Sequence, residues 1–118
     1  MLTDLDQLPI IDWQLATRLA YNKKEVAQEL LGLFTKNLSD EIAQIKASYV
    51  DQKYIDLLQK IHKLHGAICY CGVPRLKSVV ARLETDLKNN IMLDLPYLFS
   101  QLDIEVKLLL AQPIATNL

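Results

Sequence analysis

His62 lies in the run Ile61-His62-Lys63-Leu64-His65-Gly66, where an amphipathic helix shows its outer face. With His62 at zero on a wheel of about 100° per residue, Ile55, Leu58, Gln59, His65, Gly66 and Cys69 fall within about 60° of it. Tyr54, Leu57, Ile61, Leu64 and Ile68 gather on a separate arc centred about 120° away, which suffices to bury the helix. The His62 stripe is therefore a working surface that carries an imidazole. Unperturbed imidazole is mostly neutral near pH 7, so a ring nitrogen is free to attack an electrophile such as phosphorus.

Gly66 follows His62 by one turn. Glycine inside a helix costs about 1 kcal/mol against alanine, so the missing side chain has a use. Close packing against another helix is one explanation. The position beside His62, rather than on the arc of Leu64, favours approach by an outside partner. The same stripe admits two other readings. His62, His65 and Cys69 have a spacing that brings three ligands toward one metal ion, but Cys71 points to the opposite side and no fourth ligand is evident. A helical docking adaptor without phosphate chemistry would need only the apolar part of the stripe. The exposed histidine beside a glycine speaks against that adaptor.

The elements that must position this stripe are all helical. Residues 1–11 form an irregular lead-in containing Pro9. Asp12 caps a short helix through Ala20, with Trp13, Ala16 and Leu19 on one face. Asn22 and Glu25 resemble a capping box, opening a long helix with Val26, Leu30, Phe34, Leu38, Ile42, Ile45 and Tyr49 at helical spacing. A third helix, from about Asp51 to Cys71, carries His62 and ends at Gly72. Pro74 suits the first turn of a fourth helix with the stripe Leu76, Val80, Leu83 and Leu87, ended by Asn89 and Asn90. Asp94 caps a fifth, where Leu98, Leu102, Val106 and Leu109 face inward until Pro113. Short connections force successive helices to run antiparallel. The expected fold is all-α, an up-down antiparallel four-helix bundle at residues 12–111, with a short N-terminal helix across one end and a tail at 112–118.

Composition narrows the function further. The 118 residues make one domain, and 51% of them are hydrophobic, enough for a core without metal or disulfide support. A net charge of −1 argues against nucleic-acid binding, which needs a concentrated basic face. No apolar run approaches the roughly 18 residues of a membrane span, and the first residues do not read as a leader, although an excised domain would look the same. Cys69 and Cys71 point about 200° apart on a helix, so they do not pair, and a reducing, cytoplasmic setting fits.

The sequence His62-Lys63-Leu64-His65-Gly66, followed by Gly72-Val73-Pro74-Arg75, resembles the signature of histidine-containing phosphotransfer (HPt) domains. It is most similar to those at the C-terminus of BarA/GacS-type hybrid sensor histidine kinases. The resemblance spans the five-helix pattern from about Ile11 to Ala111. It implies that His62 accepts a phosphoryl group from a receiver-domain aspartate and passes it to a response-regulator aspartate. The domain itself would be a phosphocarrier rather than a catalyst, with a hybrid kinase as its parent. The general pattern has Lys three residues after the histidine; here it is His65, which is not a fixed positive charge.

Glu84 matches the position where relatives carry a Gln or Glu that hydrogen-bonds the imidazole and leaves Nε2 outward. Lys63 and Arg75 are candidates for attracting phosphate. Ile55, Leu58, Gln59 and Cys69, with Trp13 and Leu15, are candidates for docking the receiver. No glycine-rich phosphate loop and no acidic metal cluster shares this face, so the domain is expected to bind no cofactor, Mg2+ arriving with the receiver. The expected partners are the receiver domain of a hybrid kinase and a downstream response regulator, met by a monomer without nucleic-acid or membrane contact.

Overall fold

The computed structural model describes residues 5–114, so the parts of the lead-in and tail at 1–4 and 115–118 lie outside the described residues. Five helices follow a 3-10 turn at Leu5–Gln7: α1 (Trp13–Leu19), α2 (Lys24–Val50), α3 (Tyr54–Ile68), α4 (Pro74–Lys88) and α5 (Leu95–Leu110). No strand occurs among the described residues. Helices α2 to α5 close the antiparallel bundle in chain order, α5 returning to α2, while α1 lies against α2. The lead-in is less irregular than its sequence suggests, because Leu5, Ile10 and Ile11 pack on the core.

Local chemistry sets the helix ends. The Asp12 carboxylate accepts a hydrogen bond from the Leu15 N–H at 3.0 Å, capping α1. Asn22 does not open α2. It stands at φ 63 beside Tyr21 at φ 56, and its N–H donates to the Thr17 carbonyl, so it completes the end of α1. Lys23 becomes the N-cap, without a side-chain bond. Helix α3 is shorter than expected at both ends: Gln52, at φ 57, takes the left-handed position that ends α2, and α3 stops at Ile68 rather than Cys71, the Tyr70 and Cys71 N–H groups closing tighter turns on the Ala67 and Ile68 carbonyls. At the end of α2 the Lys53 and Gln52 N–H groups bond the Ser48 and Tyr49 carbonyls, the pairing of a Schellman motif. Asn90, Ile91, Leu87 and Asp86 repeat that pattern at the end of α4. Asp94 precedes α5 but makes no side-chain cap; its carboxylate pairs with Arg82 at 3.0 Å instead.

Leu57, Ile61, Leu64 and Ile68 of α3 face Leu76, Val80, Leu83 and Leu87 of α4, all buried, with Leu98, Leu102, Val106 and Leu109 of α5 in the same core. Tyr54, expected on the buried arc, is exposed because it begins α3 at the edge of the bundle. In the first half of α2 the buried residues are Ala27 and Leu31, one position later than the expected Val26 and Leu30, which lean on Ala16 and Ala20 of α1. Leu19 is correspondingly exposed. Tyr49 stacks on Phe99, their ring centres 4.2 Å apart.

Gly72 joins α1 to the α3–α4 corner. Its φ is +66, and a Cβ would lie 2.8 Å from Ala16, so only glycine fits both the turn and the approach. The Asp12 N–H also donates to the Gly72 carbonyl at 2.9 Å.

Candidate functional site

Two helices meet at one carboxylate. Glu84 projects from α4, its side chain 7% exposed, toward the outer stripe of α3. His62 Nδ1 lies 2.6 Å from Glu84 Oε2, and His65 Nδ1 lies 2.7 Å from Glu84 Oε1. The stripe residues His62 and His65, one turn apart, thus divide the two oxygens of a single acceptor. Lys88, one turn after Glu84 on α4, stands 3.5 Å from Oε2.

The electrostatics fix the proton positions. Burial pushes the Glu84 pKa up, but hydrogen bonds from His65 and His62 and the Lys88 charge outweigh it, bringing it from 4.5 down to about 2. An ionised carboxylate has no hydrogen to donate, so each imidazole must present Nδ1–H to it. In the neutral ring that leaves the lone pair on Nε2. The His62 side chain is 73% exposed and that of His65 25%, so the more open nucleophile is on His62. The arrangement holds an imidazole in one tautomer and one orientation, with its second nitrogen facing outward.

Gly66 is exposed, and a Cβ there would meet nothing within 4 Å. Helix packing is therefore not what requires glycine at this position. Lys63 is exposed one position beyond His62, over a shallow groove toward α2 lined by Glu41, Gln44 and Lys60. Ile55, Gln59 and Cys69 are exposed along the stripe. Leu58 is half-buried against the core, and so is Trp13, whose open edge faces Gln14, Arg18 and Lys24 instead of α3. Leu15 shares a groove with Cys69, Pro74 and Lys77.

Arg75 does not belong with the phosphate-attracting residues. Its guanidinium forks onto Glu105 of α5, Nε to Oε1 at 2.9 Å and Nη2 to Oε2 at 3.0 Å. Nine residues separate it from Glu84, about 13 Å along α4 and half a turn around it. Its charge is spent on Glu105, whose side chain is 1% exposed. Lys88 went unread in the sequence, although a Glu–Lys pair four apart on one helix was a visible signal.

Cys69 is too far from His62 to share an ion, seven residues being about 10 Å of helix. Among the described residues no three His, Cys, Asp or Glu side chains are placed to hold a metal. Both thiols are free, Cys69 exposed and Cys71 buried. Burial, with Cys69 nearby, pushes the Cys71 thiol up to about 11. No helix among the described residues is long and apolar enough to cross a membrane.

Known proteins share this arrangement of sequence. Residues 29–112 match the family profile described as Hpt domain. Over 81 residues, 69% of the chain, it is 37% identical to the sensor protein GacS of Pseudomonas syringae pv. syringae. Over 79 residues, 67% of the chain, it is 34% identical to the signal transduction histidine-protein kinase BarA of Escherichia coli K12. Each match spans 9% of the relative's length. A crystal structure of the HPt domain from a Shewanella sensor hybrid histidine kinase superposes with a TM-score of 0.71 at 32% identity, covering 95% of this chain and all of that one. A polar pair on neighbouring helices, a bare glycine beside it and a matched sequence over most of the bundle converge: this chain belongs to the Hpt domain family.

Proposed function

We propose that His62 Nε2 is the atom that takes up and releases the phosphoryl group in a histidine–aspartate relay. The family is one of phosphotransfer modules, and phosphoryl relay is the function of this chain. The observation that carries the residue assignment is the Nδ1 contact of an exposed imidazole with a buried, ionised Glu84. The Nε2 lone pair attacks the phosphorus of a receiver's aspartyl phosphate. The P–N bond forms as the acyl P–O bond breaks, and the electron pair returns to the aspartate as carboxylate. The proton stays on Nδ1 throughout, donated in a hydrogen bond to Glu84. Transfer to the second receiver reverses these bond changes.

Catalysis in such a transfer is in-line positioning and charge neutralisation. This chain supplies the positioned nucleophile; the divalent cation, Mg2+, comes with the receiver. His65 shares Glu84 and holds the carboxylate from its other side, and Gly66 keeps the approach open. The domain acts as a monomeric carrier in the cytoplasm, for the receiver of a hybrid kinase and a response regulator.

The test is transfer from a receiver domain phosphorylated with acetyl phosphate. The unmodified chain and His65→Gln become labelled, while His62→Gln stays unlabelled with unchanged helicity. The label is lost in acid and survives alkali, as a phosphoramidate does. Label persisting in His62→Gln but vanishing in His65→Gln would move the acceptor by one turn and overturn the assignment.

A further inference from the structure

Lys88 touches the site without being needed to build it. Glu84 is already satisfied by two ring N–H groups, from His62 on Oε2 at 2.6 Å and from His65 on Oε1 at 2.7 Å. The Lys88 ammonium stands farther off, 3.5 Å from Oε2, on a side chain 57% exposed. An ion pair so long and so exposed is weak, so Lys88 can swing away and leave both imidazoles in place. Because α3 and α4 run antiparallel, Lys88, one turn beyond Glu84, lies on the His62 side of the carboxylate. The oxygen it approaches is the one His62 uses. Among the described residues, the other cations near the stripe are engaged or turned away. Lys60 bonds Ser48 and Asp56, Arg82 bonds Asp86 and Asp94, and Arg75 is held by Glu105. Lys63 overlies the groove toward α2, and Lys77 lines the groove beside Cys69.

Phosphorylation changes what surrounds this ammonium. A phosphoryl group near neutral pH carries about −1.5 to −2 of charge and three acceptor oxygens, and on Nε2 it stands at the exposed side of the ring. Glu84 offers a single charge, spread over two oxygens that already accept shorter hydrogen bonds. The phosphoryl group is therefore the stronger partner, and the flexible four-carbon stem of a lysine spans the short way around an imidazole. The residue three after His62 does not fill that place as a lysine would. His65 has its Nδ1 on Oε1 and is no fixed charge.

We infer that Lys88 is the counter-ion of phosphorylated His62, leaving Glu84 Oε2 for the phosphoryl oxygens and supplying from α4 the fixed positive charge that position 65 lacks. The inference rests on the reading of His62 as phosphoacceptor and concerns the phosphorylated state. Its effect is on how tightly the carrier holds its phosphoryl group, and so on which way the relay runs.

The position of the transfer equilibrium tests it. A contact that only docks the receiver changes how fast label is shared between receiver and carrier, whereas a counter-ion to the phosphoryl group changes where sharing stops. With a receiver phosphorylated by acetyl phosphate and separated from the reagent, Lys88→Gln should hold label against the receiver about tenfold less well than the unmodified chain. Lys88→Arg should restore the partition. Lys77→Gln, which changes another exposed lysine of α4, should leave it as it is. Loss of the Lys88 charge should also raise the pH at which the phosphoryl group of the labelled chain takes up a proton, followed by 31P NMR. Either quantity unchanged in Lys88→Gln would overturn the inference while leaving His62 as acceptor. Slower labelling to the same end point would make Lys88 a docking contact and overturn it too. So would altered His62 ring signals in unphosphorylated Lys88→Gln, which would assign Lys88 to building the site. Failure of the unmodified chain to take label from any receiver would refute the acceptor reading and take this inference with it.

Discussion

Gly66 separates the demands of folding from those of transfer. A Cβ at this position meets nothing within 4 Å, so Gly66→Ala adds a methyl group into open space. The backbone is helical and gains up to about 1 kcal/mol in intrinsic propensity. At about 2.1 cal/mol/K per residue, the 118 residues unfold with an entropy near 0.25 kcal/mol/K, so the gain appears as a melting temperature up to about 4 °C higher. Gly66→Arg also folds, since its side chain extends outward. It places a long, charged group one turn from His62 on the face a receiver must cover. A displacement of about 1 Å in the reacting geometry costs on the order of a hundredfold in rate. The expected pair of results is a raised melting point for Gly66→Ala and a folded Gly66→Arg with transfer reduced about a hundredfold. Thermal melts by circular dichroism and single-turnover labelling measure both. A lower melting point for Gly66→Ala, or undiminished transfer by Gly66→Arg, would refute the reasoning.

Two further outcomes follow from the ion pairs. The Glu84 pKa falls from 4.5 to about 2 on folding, so its contribution is complete above pH 4.5 and is lost as pH falls through 2. The stability advantage of the unmodified chain over Glu84→Gln should therefore shrink by about 3 kcal/mol across that window, read from urea melts; a constant difference would show that Glu84 is not held ionised by its neighbours. Arg75→Met should lower stability by about 3 kcal/mol, leaving Glu105 buried without its partner, while transfer below the melting point is unchanged. Loss of transfer in a fully folded Arg75→Met would return Arg75 to the phosphate site.

How much of this was legible in the chain depends on how far each residue reaches. Pro74 and the Asn89-Asn90 pair act within a turn of themselves, and the helix boundaries they imply stand in the structure, whereas α3 stops at Ile68, short of the Cys71 that Gly72 implies. The outer stripe of α3 was readable because the buried arc of the same helix is unambiguous. Asn22 misled because a cap and a left-handed turn use the same residue type, and the choice between them depends on α1 finishing first. Arg75 misled for a different reason: Glu105 is thirty residues away, and no local pattern announces that α5 will bring it to the start of α4. The Glu84 bridge lies between these cases. A wheel puts His62 and His65 on one face, but only the packed register of α3 on α4 gives them a single carboxylate to divide.

The outward nitrogen of His62 is one atom on one face, and that has a kinetic consequence. A footprint wide enough to hold a donor over it leaves no room for an acceptor, so the two receivers occupy the domain in turn. Relay through this chain then follows ping-pong kinetics: double-reciprocal plots at several acceptor concentrations give parallel lines. A receiver already relieved of its phosphoryl group still fits the face, so it competes with its charged form. Flux is set by the relative abundance of loaded and empty receivers, and an excess of empty ones stalls the relay with its chemistry intact.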